Sequence, residues 1–236
     1  MTARAAESPG RTHVLLDLDG TLSDSEPGIL RSLRWACEVE GFPIPTDEQV
    51  RSVIGPPFEL GLPSIGIPDD ALERVINTYR TRYESIGLFE NTLYHGVVEM
   101  LDGLAAIGLS VSIATAKPER TAVRILEHFG LADRFEAMVG ATLTPERRAK
   151  AQVITHALGE LGIPAGLPDM ADRVIMVGDR EHDVLGAMHN GMSCIGVTWG
   201  YGSPEELLKA GAVVLADTPL EVVQLVQKTY RSPDWS

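Results

Sequence analysis

Two aspartates stand two positions apart at the end of an apolar run in HVLLDLDGTLSDSE, residues 13–26. On an extended chain Asp17 and Asp19 point the same way, about 7 Å apart, so both can face one substrate. Like charges that close raise each other's proton affinity, and burial raises it further, so the pair needs a compensating cation or a reaction that uses it. A carboxylate can attack phosphorus to form an aspartyl-phosphate while a second carboxylate handles protons. The plainer alternative is a pair of turn residues leading into Gly20. It accounts for Asp19 and Gly20 better than for Asp17.

The residues DLDGTLSDSE resemble the first signature, DxDGT, of the haloacid dehalogenase (HAD) superfamily, most of whose members are magnesium-dependent phosphatases. The resemblance implies that Asp17 is the nucleophile and Asp19 the general acid/base. In IATAKP it puts Thr115 where the family carries a phosphoryl-binding Ser or Thr, with the amide of Ala116 beside it; read alone, Thr115 is an ordinary cap before a helix. Lys117 and Pro118 extend the similarity without an assigned role. In ERRAKAQVITHAL, Lys150 takes the place of the lysine that offsets phosphate charge and holds the nucleophile. The proline that many relatives carry after this lysine is missing, Arg147 and Arg148 lie close by, and a surface-helix lysine is the alternative reading.

VIMVGDREHDV resembles the fourth signature, GDxxxD, with Asp179 and Asp183 as its acids. Hard cations take oxygen ligands, and magnesium typically uses one or two carboxylates, waters and substrate phosphate. The resemblance therefore implies Mg2+ held by Asp17, Asp179 and the main-chain carbonyl of Asp19, with Asp183 acting directly or through water. Such an ion would neutralise the crowded carboxylates and draw in a phosphate. VIGPPFE resembles a substrate-facing loop, so Gly55 and Pro56 join Thr21, Thr115, Ala116 and Lys150 as expected substrate contacts; a rigid turn between helices explains that loop equally well. TWGYGSPEEL resembles a loop close to the site in phosphoglycolate phosphatase-like members, whereas Tyr94-His95-Gly96 departs from the Tyr-Pro-Gly of relatives.

These residues must be positioned by the elements around them. Strand patterns run over residues 13–18, 109–115, 135–140, 174–177, 194–198 and 212–215, and helical spacing over 28–40, 97–106, 120–129, 150–161 and 183–190. Strands alternating with helices predict right-handed crossovers and a parallel sheet covered on both faces, with ligands beyond the carboxyl ends of the strands. Between these lies a Pro/Gly-punctuated stretch with a further helical pattern from Asp69 and Asp70 onwards and no strand signal. The expected fold is α/β: a Rossmann-like HAD core of residues 1–26 and 94–236, with a helical C1 cap inserted over 27–93.

Composition limits the remaining roles. The chain is 44% hydrophobic and 22% charged, and no apolar run approaches the ~20 residues of a membrane span. MTARAAESPG reads as a flexible leader and not as a secretory signal, so the expected compartment is the cytoplasm. The net charge of −13 opposes attraction to a nucleic-acid backbone. It also requires any phosphate site to supply its own positive charge. Cys37 and Cys194 form no disulfide or zinc pattern.

The expected activity is Mg2+-dependent hydrolysis of a small phosphorylated metabolite by a chain that is monomeric by default, phosphoglycolate phosphatase-like, with a 5'-nucleotidase or a β-phosphoglucomutase-like phosphotransferase as the alternative. A dehalogenase has no need of Asp19 or Asp179. Some close-looking members have been assigned protein-tyrosine kinase activity, but no Gly-rich nucleotide loop is present. A non-catalytic phosphate-binding module would bind without turnover.

Overall fold

The computed structural model describes residues 13–54, 58–142, 145–164 and 166–231. The chain enters through β1 (His13–Leu16) and a short β2 (Ser23–Asp24), then forms four helices, α1 (Glu26–Glu40), α2 (Asp47–Ser52), α3 (Phe58–Gly61) and α4 (Leu72–Ser85). It returns through β3 (Thr92–Leu93), α5 (Val97–Ala106), β4 (Ser110–Pro118), α6 (Glu119–His128) and β5 (Met138–Ala141). The second half adds α7 (Lys150–Glu160), α8 (Met170–Arg173), β6 (Val174–Gly178), α9 (Glu181–His189), β7 (Ser193–Val197), α10 (Pro204–Ala210), β8 (Val214–Ala216) and α11 (Pro219–Arg231).

Six of the strands make one parallel sheet in the order β5-β4-β1-β6-β7-β8. From β1 the chain winds outward to β4 and β5 on one side, then restarts at β6 on the other. The order therefore reverses around β1, which places the ligand crevice at its carboxyl end. Successive side chains of a strand face opposite ways, and both faces here are covered. Val14 and Leu16 join one apolar cluster with Ile113, Ile175 and Val177, while Leu15 joins a second with Met176, Val153, Ile154 and Val184. Burial on both faces is why these strands read as unbroken apolar runs rather than as alternation.

The parallel sheet and flanking helices follow the sequence expectation, with differences in detail. β4 runs on to Pro118, past the expected end at Thr115, through an irregularity in its pairing with β5 between Thr115 and Pro118. The middle stretch is helical as expected, but an antiparallel β2–β3 ribbon that carries no sequence signal ties its two ends, pairing Ser23 with Leu93 and Asp24 with Thr92. Two residues per strand are too few to produce a visible period. The helices α10 and α11 lie outside the helical patterns read from the sequence; α11 packs on α5, where Val223 lies against Gly103, and buries Val222 and Val226.

Within the helical insert α1 packs on α4 and on the 3-10 turn Gly87–Phe89. Contact with that turn depends on Gly28, because a Cβ there would lie 1.9 Å from the carbonyl oxygen of Gly87. Glycine-to-alanine changes normally favour a helix by roughly 0.5–1 kcal/mol. Here the sign reverses: Gly28→Ala is expected to destabilise the protein by about 1–3 kcal/mol, measured by urea denaturation, and a stabilised variant would contradict this packing.

Candidate active site

Register brings the chemistry together. Leu16 of β1 pairs with Ile113 of β4 on one side and with Val177 of β6 on the other. β1 and β6 therefore end nearly level beside the middle of β4, and Asp17 and Asp179, just beyond their strands, meet Thr115 of β4 at one edge of the sheet. The Asp17 amide continues the ladder by donating to the carbonyl of Val177 at 3.0 Å. Asp183 follows on the first turn of α9, where its carboxylate Oδ2 accepts from the Arg180 amide at 3.1 Å. Asp17, Asp179 and Asp183 are all buried, and each offers a carboxylate oxygen within 4.8 Å of the others.

Glycines make that crowding possible. A Cβ on Gly20 would lie 2.1 Å from Asp179 Oδ2, one on Gly178 would lie 2.3 Å from Asp183 Cγ, and one on Gly200 would lie 2.3 Å from Asp179 Cβ. Gly20 also has φ +80°, a conformation that side chains disfavour. Asp179 is oriented by two donors, the Thr21 hydroxyl on Oδ1 at 3.1 Å and the Tyr201 amide on Oδ2 at 2.8 Å. Thr21, expected at the substrate, thus has its hydroxyl on a carboxylate. The loop after β7 also docks through Trp199, whose indole donates to the Thr21 carbonyl at 3.0 Å.

Lys150 supplies the counter-charge. Buried at the start of α7, its ammonium lies 2.8 Å from Asp17 Oδ1 and 2.6 Å from Asp183 Oδ1, and donates to the Ala114 carbonyl at 3.0 Å. Burial alone would lower the pKa of Lys150, but the charges of Asp17 and Asp183 outweigh it and raise it above the ordinary lysine value. Burial pushes Asp17 up to about 6, with Asp183 adding to the rise and Lys150 opposing it. Asp179 is held well above the usual carboxylate range by burial and by its two acidic neighbours. One lysine therefore leaves the cluster short of positive charge. Asp17 Oδ1 and Asp183 Oδ1 share the single Lys150 ammonium, and among the described residues Asp179 has no cation against it in this cluster. Three buried carboxylates converging within 4.8 Å with one ammonium between them suit a hard divalent cation, so the triad could hold one.

The pairing irregularity in β4 shapes the opposite wall. The Thr115 hydroxyl accepts from the Lys117 amide at 3.2 Å and, through a hydrogen bond to Asp17, opposes the rise in that carboxyl's pKa. Lys117 Nζ reaches back to Asp19 Oδ2 at 2.6 Å. This buried ion pair had no assigned role in the sequence reading, although its signal, a lysine two residues beyond Thr115, was in view. Ala116 lines the cavity, whereas Gly55 and Pro56 lie outside the described residues.

A cavity of about 630 Å³ opens between the sheet edge and the helical insert. Its lining includes seven basic residues, Arg80, Lys117, Arg120, Arg147, Arg148, Lys150 and Arg180, against six acidic ones, Asp17, Asp19, Glu59, Glu84, Glu119 and Asp183. Counting Asp179 of the same cluster the two signs balance, so in a chain of net charge −13 the cavity concentrates the positive charge an anionic substrate requires. The two walls are bridged by Arg180, whose guanidinium donates to the Ile54 carbonyl at 2.7 Å and to Glu206 at 2.8 Å. Arg148 adds an ion pair to Glu59 at 2.9 Å.

A doubly covered parallel sheet that ends in a carboxylate–lysine cluster under a helical insert defines an α/β enzyme of the Rossmann-like HAD type. The chain belongs to the haloacid dehalogenase-like hydrolase family, whose model matches residues 14–197. The tyrosine-protein kinase PtkA of Mycobacterium tuberculosis is 38% identical over 214 residues, covering 90% of this chain and 71% of that protein. A 5'-nucleotidase of Pseudomonas aeruginosa is 37% identical over 196 residues, covering 83% of this chain and 86% of the relative. The crystal structure of a predicted phosphatase from Clostridium acetobutylicum superposes with a TM-score of 0.85 at 34% identity, covering 93% of this chain and all of that one. Phosphoglycolate phosphatases are also among the relatives.

The raised pKa of Asp17 sets a stability prediction for chelator-treated protein. Its folded value of about 6 lies above the unfolded value of 3.8, so the contribution to stability is full below about pH 4 and is lost as pH rises through about 6. Thermal melts of wild type and Asp17→Asn should show the wild type losing stability relative to the variant across that window. A difference independent of pH would contradict the assignment.

Proposed function

We propose that this protein is a magnesium-dependent phosphomonoester hydrolase that works through an aspartyl-phosphate on Asp17. The observation that carries the reading is the juxtaposition at one sheet edge of Asp17, ion-paired to Lys150, and Asp19, two residues on and paired to Lys117. Asp17 attacks phosphorus in line; the bond from phosphorus to the leaving oxygen breaks, and Asp19 gives that oxygen a proton. Asp19 then removes a proton from water, which displaces Asp17 and releases phosphate. Lys150, the Thr115 hydroxyl and the amide of Ala116 balance the charge on the phosphoryl oxygens. Asp17, Asp179 and Asp183, with the Asp19 carbonyl, would hold Mg2+, which when bound neutralises both the acids and the substrate.

Residues 27–93 act in this reading as a cap over a core of residues 1–26 and 94–236, closing on substrate and excluding water. The contacts of Arg180 and Arg148 across the cavity support that role. The product distinguishes a hydrolase from a phosphotransferase: phosphate passes to water in one and to an acceptor in the other.

Phosphate release from phosphoglycolate, nucleoside monophosphates, sugar phosphates and an aryl phosphate should require magnesium and disappear in excess chelator. Asp17→Asn is expected to lower kcat by three or more orders of magnitude in a folded protein, and Asp19→Asn by roughly 10²–10⁴. Undiminished turnover by Asp17→Asn, or transfer of label to a tyrosine peptide with no free phosphate, would overturn the proposal.

A further inference from the structure

Five α4 residues, Ile76, Tyr79, Arg80, Tyr83 and Glu84, line the cavity. Their spacing of i, i+3, i+4, i+7 and i+8 is one face of a helix, so α4 turns a continuous surface towards the carboxylates. Phe58 of α3, half-buried, extends it: its ring meets Tyr79 edge-on at 4.7 Å, and Tyr79 stacks on Tyr83 at 5.1 Å. The Lys117 ammonium that pairs with Asp19 lies 5.1 Å from the centre of the Tyr83 ring. The aromatic wall therefore begins over the acid/base group and runs outward along the side from which a leaving group departs.

A second observation is independent of the rings. The Tyr83 residue is 5% exposed, and its hydroxyl is buried with no hydrogen-bond partner among the described residues. Nearly all buried polar groups in folded proteins are satisfied, and an unmet donor costs about 1–3 kcal/mol. Tyr83 lines the cavity, so a ligand that enters beside it can supply the partner this donor lacks. The cavity volume of about 630 Å³ falls in the range of about 300–1,000 Å³ that encloses drug-sized molecules. A phospho-acid of two or three carbons would leave most of it, and the whole aromatic wall, untouched.

We propose that the leaving-group side of this site takes phosphomonoesters of ring-bearing alcohols, the planar ring seated against Phe58 and the α4 face, and the Tyr83 hydroxyl donating to a polar atom of that group. The assignment rests on the phosphomonoester reading above and names its substrate class. Offset and edge-on ring contacts are favourable beyond the area they bury, and aryl and nucleoside esters both present the flat face that the wall requires.

Calorimetric titration of magnesium-supplemented protein tests this without turnover, using phosphonoacetate, 4-nitrobenzylphosphonate and a nucleoside 5'-phosphonate. At least one ring-bearing ligand should bind tenfold or more tightly than phosphonoacetate, and which of the two does so separates aryl from nucleoside. Phe58→Ala should collapse that ratio. Tyr83→Phe should weaken the preferred ring-bearing ligand several-fold without lowering the melting temperature, a combination that a purely structural hydroxyl would not give. Equal affinity for all three phosphonates, or a Tyr83→Phe variant that binds as tightly as the parent, would overturn the assignment. Failure to release phosphate from any ester would instead count against the hydrolase reading, and the binding comparison would still be decisive.

Discussion

The structure is organised around the cost of bringing several carboxylates into a buried space. Asp17, Asp179 and Asp183 converge within a few ångströms at the carboxyl edge of the sheet, where desolvation and mutual repulsion both oppose ionisation. One ammonium, that of Lys150, lies against two of them, and removing a single partner from such a buried cluster leaves an uncompensated charge. The bare glycines at 20, 178 and 200 give the carboxylates room. Donors from Thr21, Arg180 and Tyr201 fix their directions. The cluster is thus held in a state that favours further positive charge.

Around that cluster the fold divides the work. The sheet edge, with Lys150, Thr115 and the Lys117–Asp19 pair, forms the wall suited to a phosphoryl group, while the helical insert supplies the aromatic wall opposite. Tyr201 links the two. Its amide donates to Asp179, and its hydroxyl accepts from the amides of Ser25 and Glu26 and donates to Asp24, at the point where the chain leaves the sheet for α1. The orientation of a buried acid and the root of the insert therefore share one side chain. Arg180 does the same further out, since its amide meets Asp183 and its guanidinium meets the Ile54 carbonyl.

The parallel sheet was legible because both its faces are buried, which turns β1 and β6 into continuous apolar runs, and because helices with one apolar stripe separate them. The ends of these elements were less so. The irregularity that carries β4 to Pro118 depends on its pairing with β5, and the β2–β3 ribbon is too short for a period. Asp17, Asp19, Asp179 and Asp183 were visible in the sequence because signature spacing is local: each lies one or a few residues beyond a strand, where backbone geometry fixes its direction. Only resemblance distinguishes Lys150 from Arg147 and Arg148 in the sequence, and its placement between two carboxylates cannot be read from its neighbours.

The sequence by itself determined the alternation of the sheet strands with helices, the acidic residues at strand exits and the need for local positive charge in an acidic chain, since all of these follow from composition and short-range periodicity. Only the tertiary structure decided that Leu16 pairs with both Ile113 and Val177, that Lys117 reaches Asp19, and that α4 turns Tyr79 and Tyr83 towards the site. Those outcomes depend on contacts between residues far apart in the chain. Register, side-chain reach and the facing of one element against another arise only when the whole core packs at once.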